Sequence, residues 1–158
     1  MPIVEPFTLR SSLRPGSRLL GLDVGEKTIG LALSDPGLAI ASPLMTLRRG
    51  KFTADAERLG RLIGERRVGG LVVGLPVNMD GSEGPRCQSV RQFAANLLAR
   101  LDLPLAFWDE RLSTAAVTRA MLDADLSRRR RGEIVDQLAA AYILQGLLDR
   151  LAGPAAPA

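Results

Sequence analysis

Two apolar runs, Leu19-Leu20-Gly21-Leu22-Asp23-Val24 and Ile29-Gly30-Leu31-Ala32-Leu33-Ser34, flank Gly25-Glu26-Lys27-Thr28. The pattern predicts two strands joined by a turn. Asp35-Pro36-Gly37 is a second turn signal, and Leu38 to Pro43 is the expected third strand of an antiparallel meander. The period then becomes helical: Leu59, Leu62 and Ile63 predict a helix starting near Thr53 or Asp55 and ended by Gly69-Gly70. Leu71-Val72-Val73 is a continuous apolar run of the kind buried on both faces of a sheet. A glycine-rich loop from Gly74 to Pro85 follows. Val90, Phe93, Ala94, Leu97, Leu98 and Leu101 then mark a second helix.

Pro104 to Trp108 is the last expected strand. Ser113 or Thr114 caps a third helix carrying Val117, Met121 and Leu122, and Glu133 to Leu151 forms a long final one. The order β-β-β-α-β-α-β-α-α predicts an α/β domain: a mixed five-stranded sheet, made of a three-strand antiparallel meander plus two parallel strands, with helices on both faces. Residues 1–17 are expected to be a flexible extension, 18–151 one domain and 152–158 a disordered tail.

Composition narrows the chemistry. A chain of 158 residues with 46% apolar content has enough core for one domain without staples. No apolar run approaches the roughly 18 residues that span a bilayer. A single cysteine, Cys87, leaves no intramolecular disulfide or cysteine-rich zinc site, so a reducing cytoplasm is the simplest compartment. Histidine is absent, which removes Ser-His-Asp and Cys-His catalysis and every His-ligated metal. The net charge of +4 points weakly to polyanions, and the blocks Arg128-Arg129-Arg130-Arg131 and Arg48-Arg49-Gly50-Lys51 say more than the total. Either block is equally readable as a solvated loop.

Three acids stand out by position. Asp23 sits inside an apolar strand, where a carboxylate needs a metal or a cation; Lys27 is the nearby candidate for an ion pair. Asp109 and Glu110 directly follow the last strand, at the edge where α/β sheets bind ligands; the alternative is a charge cluster with Asp109 paired to Arg111. Asp136 lies on a helix face with Ala139, Ala140 and Ile143, a face small and apolar enough to press on the sheet; the alternative is an acid favoured by the helix dipole. Together these acids suit a hard ion, Mg²⁺ or Mn²⁺, held for phosphodiester hydrolysis.

Five segments resemble the YqgF family of pre-16S rRNA nucleases, also described as Holliday-junction-resolvase-like. They are Gly21-Leu22-Asp23-Val24-Gly25; Ile29-Gly30-Leu31-Ala32-Leu33-Ser34-Asp35; Val73-Gly74-Leu75-Pro76-Val77-Asn78-Met79-Asp80-Gly81-Ser82; Asp109-Glu110-Arg111-Leu112-Ser113-Thr114; and Val135-Asp136-Gln137-Leu138-Ala139-Ala140. The resemblance runs from Leu19 to Leu151. It implies an RNase H-like fold, a bacterial cytoplasmic setting and a metal-dependent nuclease maturing the 5′ end of pre-16S rRNA. It also implies that Asp23, Glu110 (or Asp109) and Asp136 are the catalytic and metal-binding acids. Thr28 departs from the family, many members of which carry arginine there.

Lys27, Asn78, Arg86, Arg111, Arg128 and Arg131 are the expected nucleic-acid contacts, although the loop from Gly74 to Pro85 reads equally as a structural turn. RNA is the favoured partner and DNA the alternative, with the chain a monomer or homodimer and room for ribosome-assembly partners. A junction resolvase would be a dimer. A non-catalytic nucleic-acid-binding module would keep the fold without the chemistry. An actin-like ATPase, suggested by Asp23-Val24-Gly25, needs a second domain and a phosphate loop that this chain lacks.

Overall fold

The structure, a computed structural model, describes residues 3–112 and 128–153, with the backbone alone for 128–133. In chain order the elements are α1 (Pro6–Ser11), β1 (Arg18–Val24), β2 (Thr28–Ser34), β3 (Ala41–Arg48), α2 (Phe52–Glu65), β4 (Val68–Leu75), α3 (Pro85–Leu98), β5 (Leu105–Asp109), a 3-10 turn (Glu110–Leu112) and α4 (Arg128–Ala152). The helix expected after Ser113 or Thr114, and the side chains of Arg128 and Arg131, lie outside the described residues.

The strands form one sheet in the order β3-β2-β1-β4-β5. The meander β1-β2-β3 is antiparallel, and β1-β4 and β4-β5 are parallel, as the sequence pattern predicts. Successive residues of a strand face opposite sides, so each central strand feeds two cores. Leu20, Leu22 and Val24 of β1 join Leu59 and Phe93 under α2 and α3. Leu19 joins Ile143, Leu144 and Leu147 under α4. Gly21 and Asp23 share the parity of Leu19 and therefore face α4.

Helix α4 lies very close to the sheet, and glycines make this possible. A Cβ on Gly21 would stand 2.8 Å from Leu144 Cβ; one on Gly30 would strike the backbone carbonyl of Asp136; one on Gly74 would strike Ile143. These glycines lie on β1, β2 and β4, so the central strands offer α4 a groove without side chains.

Three expectations are corrected. The third strand begins at Ala41, not Leu38, and runs to Arg48. Asp35 Oδ1 accepts from the backbone N–H groups of Ala39 (2.7 Å) and Ile40 (2.9 Å), which prolongs the turn. Pro43 is tolerated because β3 is an edge strand with an irregular register there. Helix α2 ends before Arg67, whose φ is 57°, and Gly69-Gly70 belong to β4.

The segment before Arg18, expected to be a flexible extension, docks on the domain. Ile3 bridges Leu105, Val4 N–H donates to Leu105 O at 2.8 Å, and Leu9 is fully buried. A Cβ on Gly70 would lie 2.8 Å from Leu9 Cδ1, so the glycine pair gives α1 its seat. The apolar residues Val4, Phe7, Leu9 and Leu13 drive this docking despite the interrupting Pro6 and Arg10. Leu9→Ala is therefore expected to cost about 2–5 kcal/mol in urea denaturation, where a loose tail would give no change.

Candidate active site

Asp23 occupies the penultimate position of β1 and is 7% exposed. Its neighbour across the antiparallel ladder is Gly30, the residue on which Asp136 of α4 rests. On the other side Leu22 pairs with Val73, so Asp23 and Gly74 follow next to each other. Glu110 Oε1 sits over Gly74, 2.8 Å from where a Cβ would be. Three acids distant in sequence thus share one sheet face at one rim, with Glu110 and Asp136 flanking Asp23 over adjacent strands about 4.8 Å apart. The bare glycines beneath the two flanking acids are what let them approach.

Asp136 is held from β2. Thr28 Oγ1 donates to Asp136 Oδ2 at 2.6 Å. Sequence reasoning noted Thr28 only as a departure from the family, because a bond to a residue 108 positions away leaves no local pattern. Thr28→Val should weaken divalent-ion affinity about 10–100-fold in calorimetry, while Thr28→Ser, which keeps the hydroxyl, should not.

Asp109 and Glu110 take different paths. Asp109 closes β5 and is gripped by Arg111: Nε at 3.0 Å and Nη2 at 2.7 Å from Oδ2, and the backbone N–H at 2.9 Å from Oδ1. The Arg111 guanidinium holds the Asp109 carboxyl below its ordinary value of 3.8, against the opposing effect of burial. A depressed carboxylate stabilises the fold above its unfolded pKa and loses that contribution as pH falls through the folded value. Melting temperature should therefore drop more steeply below about pH 4 in the wild type than in Asp109→Asn.

Arg111 also donates from Nη1 to Met79 O at 3.3 Å, tying the loop after β4 to β5. Within that loop Asn78 Nδ2 donates to Ser82 Oγ (3.1 Å), Asn78 N–H to Ser82 O (2.9 Å), and Gly81 takes a φ of 90°. Asn78 and Arg111 thus have structural bonds already. Lys27 and Arg86 are exposed on the rim, and neither has a carboxylate partner among the described residues.

All three rim acids offer oxygen, the donor that Mg²⁺ and Mn²⁺ prefer. Among the described residues no three acids lie close enough together, as placed, to hold one ion. The donor chemistry and the shared face fit a hard divalent ion held by Asp23, Glu110 and Asp136.

The model of the RuvX family, described as Holliday junction resolvase, matches residues 17–150. A protein of Paramagnetospirillum magneticum named "Putative pre-16S rRNA nuclease" is 64% identical over 153 residues, covering 97% of this chain and 99% of its own. One of the same name from Rhodospirillum centenum is 61% identical over 163 residues, covering 99% and 87%. Among solved structures, RuvC of T. thermophilus in complex with a Holliday junction substrate superposes with a TM-score of 0.53 at 13% identity, covering 85% of this chain and 96% of that one. At that identity the match speaks for the RNase H-like fold alone. The match across nearly the whole chain, with relatives this similar, makes the protein a member of the RuvX family.

Proposed function

We propose that the protein is a divalent-metal-dependent nuclease that hydrolyses a phosphodiester bond in the 5′ leader of pre-16S rRNA. The observation that carries this reading is the gathering of Asp23, Glu110 and Asp136 on one face of one rim, over glycines that make room for them. The names of the relatives favour the rRNA leader as substrate.

Mg²⁺ or Mn²⁺, when bound, supplies positive charge at the reacting phosphate. Asp23, central and nearly buried, would hold that ion, with Glu110 from the 3-10 turn after β5 and Asp136 from α4 as the further ligands. Thr28 keeps Asp136 oriented through its 2.6 Å bond. Glu110 is supported over Asp109 as the second acid, because its Oε1 stands over Gly74 on the face of α4, whereas Asp109 pairs with Leu75, whose parity is the opposite one. Lys27 and Arg86 steer the backbone phosphates toward the acids, and Arg128 and Arg131 add charge from the start of α4. Arg111 and Asn78 shape the adjoining loop, whose tip at Met79 is exposed. The setting is the cytoplasm, and either a monomer or a homodimer can do this chemistry on a single RNA strand.

The second reading, junction resolution on DNA, is favoured by the family's description. Incubating the protein with an end-labelled pre-16S 5′ leader and, in parallel, with a four-way DNA junction separates the two. Faster cutting of the leader is expected. Paired symmetric cuts in the junction by a dimer, with the leader intact, would replace this reading with the second.

A further inference from the structure

Two adjoining cavities open beside the β1–β2 turn. One, of about 240 Å³, lies between the end of β1 (Val24, Gly25, Glu26) and the start of α3, with Arg49, Arg86 and Ser89 in its wall. The other, of about 510 Å³, lies between the turn and the end of β3, lined by Lys27, Thr28, Arg48 and again Glu26 and Arg49. Their position is informative. After β1 the chain turns to β2 on one side, and after β4 it crosses through α3 to β5 on the other. The crevice between such diverging strands, at their carboxyl ends, is where open α/β sheets bind ligands. Val24 and Val90 in the first cavity belong to the core under α2 and α3, whereas Asp23 faces α4. The first cavity and the acids therefore stand on opposite faces of β1, whereas the second reaches Thr28, the residue bonded to Asp136.

Arg58, Arg91 and Arg111 are each neutralised by a carboxylate. Among the described residues Lys27, Arg48, Arg49 and Arg86 are not, and the one acid in either lining is the exposed Glu26. Arg49 is the residue common to both cavities, and it is fixed. Its Nη1 donates to Gly25 O at 2.6 Å, its guanidinium lies 5.0 Å from the centre of the Phe93 ring, and its backbone N–H donates to Lys27 O at 2.8 Å. The carbonyl and the ring are both neutral, so they hold the guanidinium in place without cancelling its charge, while the backbone bond fixes its stem. A cation ordered in advance loses little entropy on meeting an anion. Successive cations along connected concavities match a polyanion with regularly spaced charges, which is a nucleic-acid backbone.

We infer that these joined cavities form a second phosphate track, which carries the substrate strand from the carboxylate rim over the end of β1 toward α3, with Arg49 as its central contact. This rests on the nuclease reading and extends it from beside Asp136, past the β1–β2 turn, to the α3 side of the sheet.

The test is binding without cleavage. The full chain carrying Asp23→Asn is titrated with labelled single-stranded pre-16S leader in EDTA, across about 50–200 mM salt. Arg49→Gln and Arg86→Gln should each reduce the slope of log affinity against log salt by about 0.7, the value of one phosphate contact on a single strand. Arg49→Lys should keep the slope, and Glu26→Gln should tighten binding. Arg61→Gln, on α2 beside a different groove, should change nothing. Melting curves identify any variant that fails to fold, and Arg86→Gln, with no bonding partner among the described residues, gives a result that does not depend on Arg49. Unchanged slopes in both Gln variants, with the parent binding normally, overturn the track and leave the nuclease reading standing. A parent that binds no nucleic acid overturns both.

Discussion

Asp23→Asn is expected to reduce cleavage on the order of 10³-fold while the protein stays folded. The carboxylate is 7% exposed, central in the rim and flanked by two further acids. An ion held there, as proposed, would contribute several kcal/mol to the transition state, and about 4 kcal/mol corresponds to three powers of ten. Asparagine keeps the shape and removes one of the charges that repel one another without metal, so the melting temperature should hold or rise. A carboxylate with a structural role predicts the opposite pattern: a lower melting temperature and activity that survives in the folded fraction. Single-turnover cleavage together with thermal melting of both proteins distinguishes the two.

Gly30→Ala should be the most damaging small substitution on the sheet. The added methyl would collide with the backbone carbonyl of Asp136, and backbone cannot rotate aside as a side chain can. Overpacking usually costs about 1–3 kcal/mol and more when the neighbour cannot yield, so about 3 kcal/mol or more is expected here. For a domain of this size that lowers the melting temperature by roughly 6–12 °C. Activity in the remaining folded protein should fall too, because α4 and Asp136 must lift from the sheet. Gly74→Ala meets only the ends of Ile143 and Glu110, which can shift, so its effect should fall more on activity than on stability. Gly64→Ala is the counterpart: nothing lies within 4 Å of its Cβ position in α2, and the change should stabilise by about 0.5–1 kcal/mol. Equal stability in the Gly30 and Gly64 variants would mean that α4 does not press on β2.

The central strands were legible because both of their faces are buried, which leaves continuous apolar runs in β1, β2 and β4. The same reasoning exposed Asp23, since a carboxylate in such a run breaks the pattern. Asp136 was legible through Ala139 and Ala140, which mark a helix face that touches something closely. The surface it touches was not legible. Gly30 read as an ordinary strand glycine and Gly74 as the start of a loop, and only three-dimensional placement shows that each lies under an acid. Gly69-Gly70 misled for a related reason: glycines that admit α1 against β4 look like glycines that end a helix. The docked N-terminal segment was missed because its apolar residues, Val4, Phe7, Leu9 and Leu13, are too few to show a period. Arg49 read as part of a charged loop, and its neutral anchors Gly25 and Phe93 lie far from it in sequence.

Direct titration of the protein with Mn²⁺, followed by electron paramagnetic resonance, tests the metal site most directly. The wild type should bind the ion at the rim, Asp23→Asn should lose that binding, and cleavage should rise in step with occupancy. Cleavage that continues unchanged in EDTA, or Mn²⁺ binding that is the same in wild type and Asp23→Asn, would contradict the account.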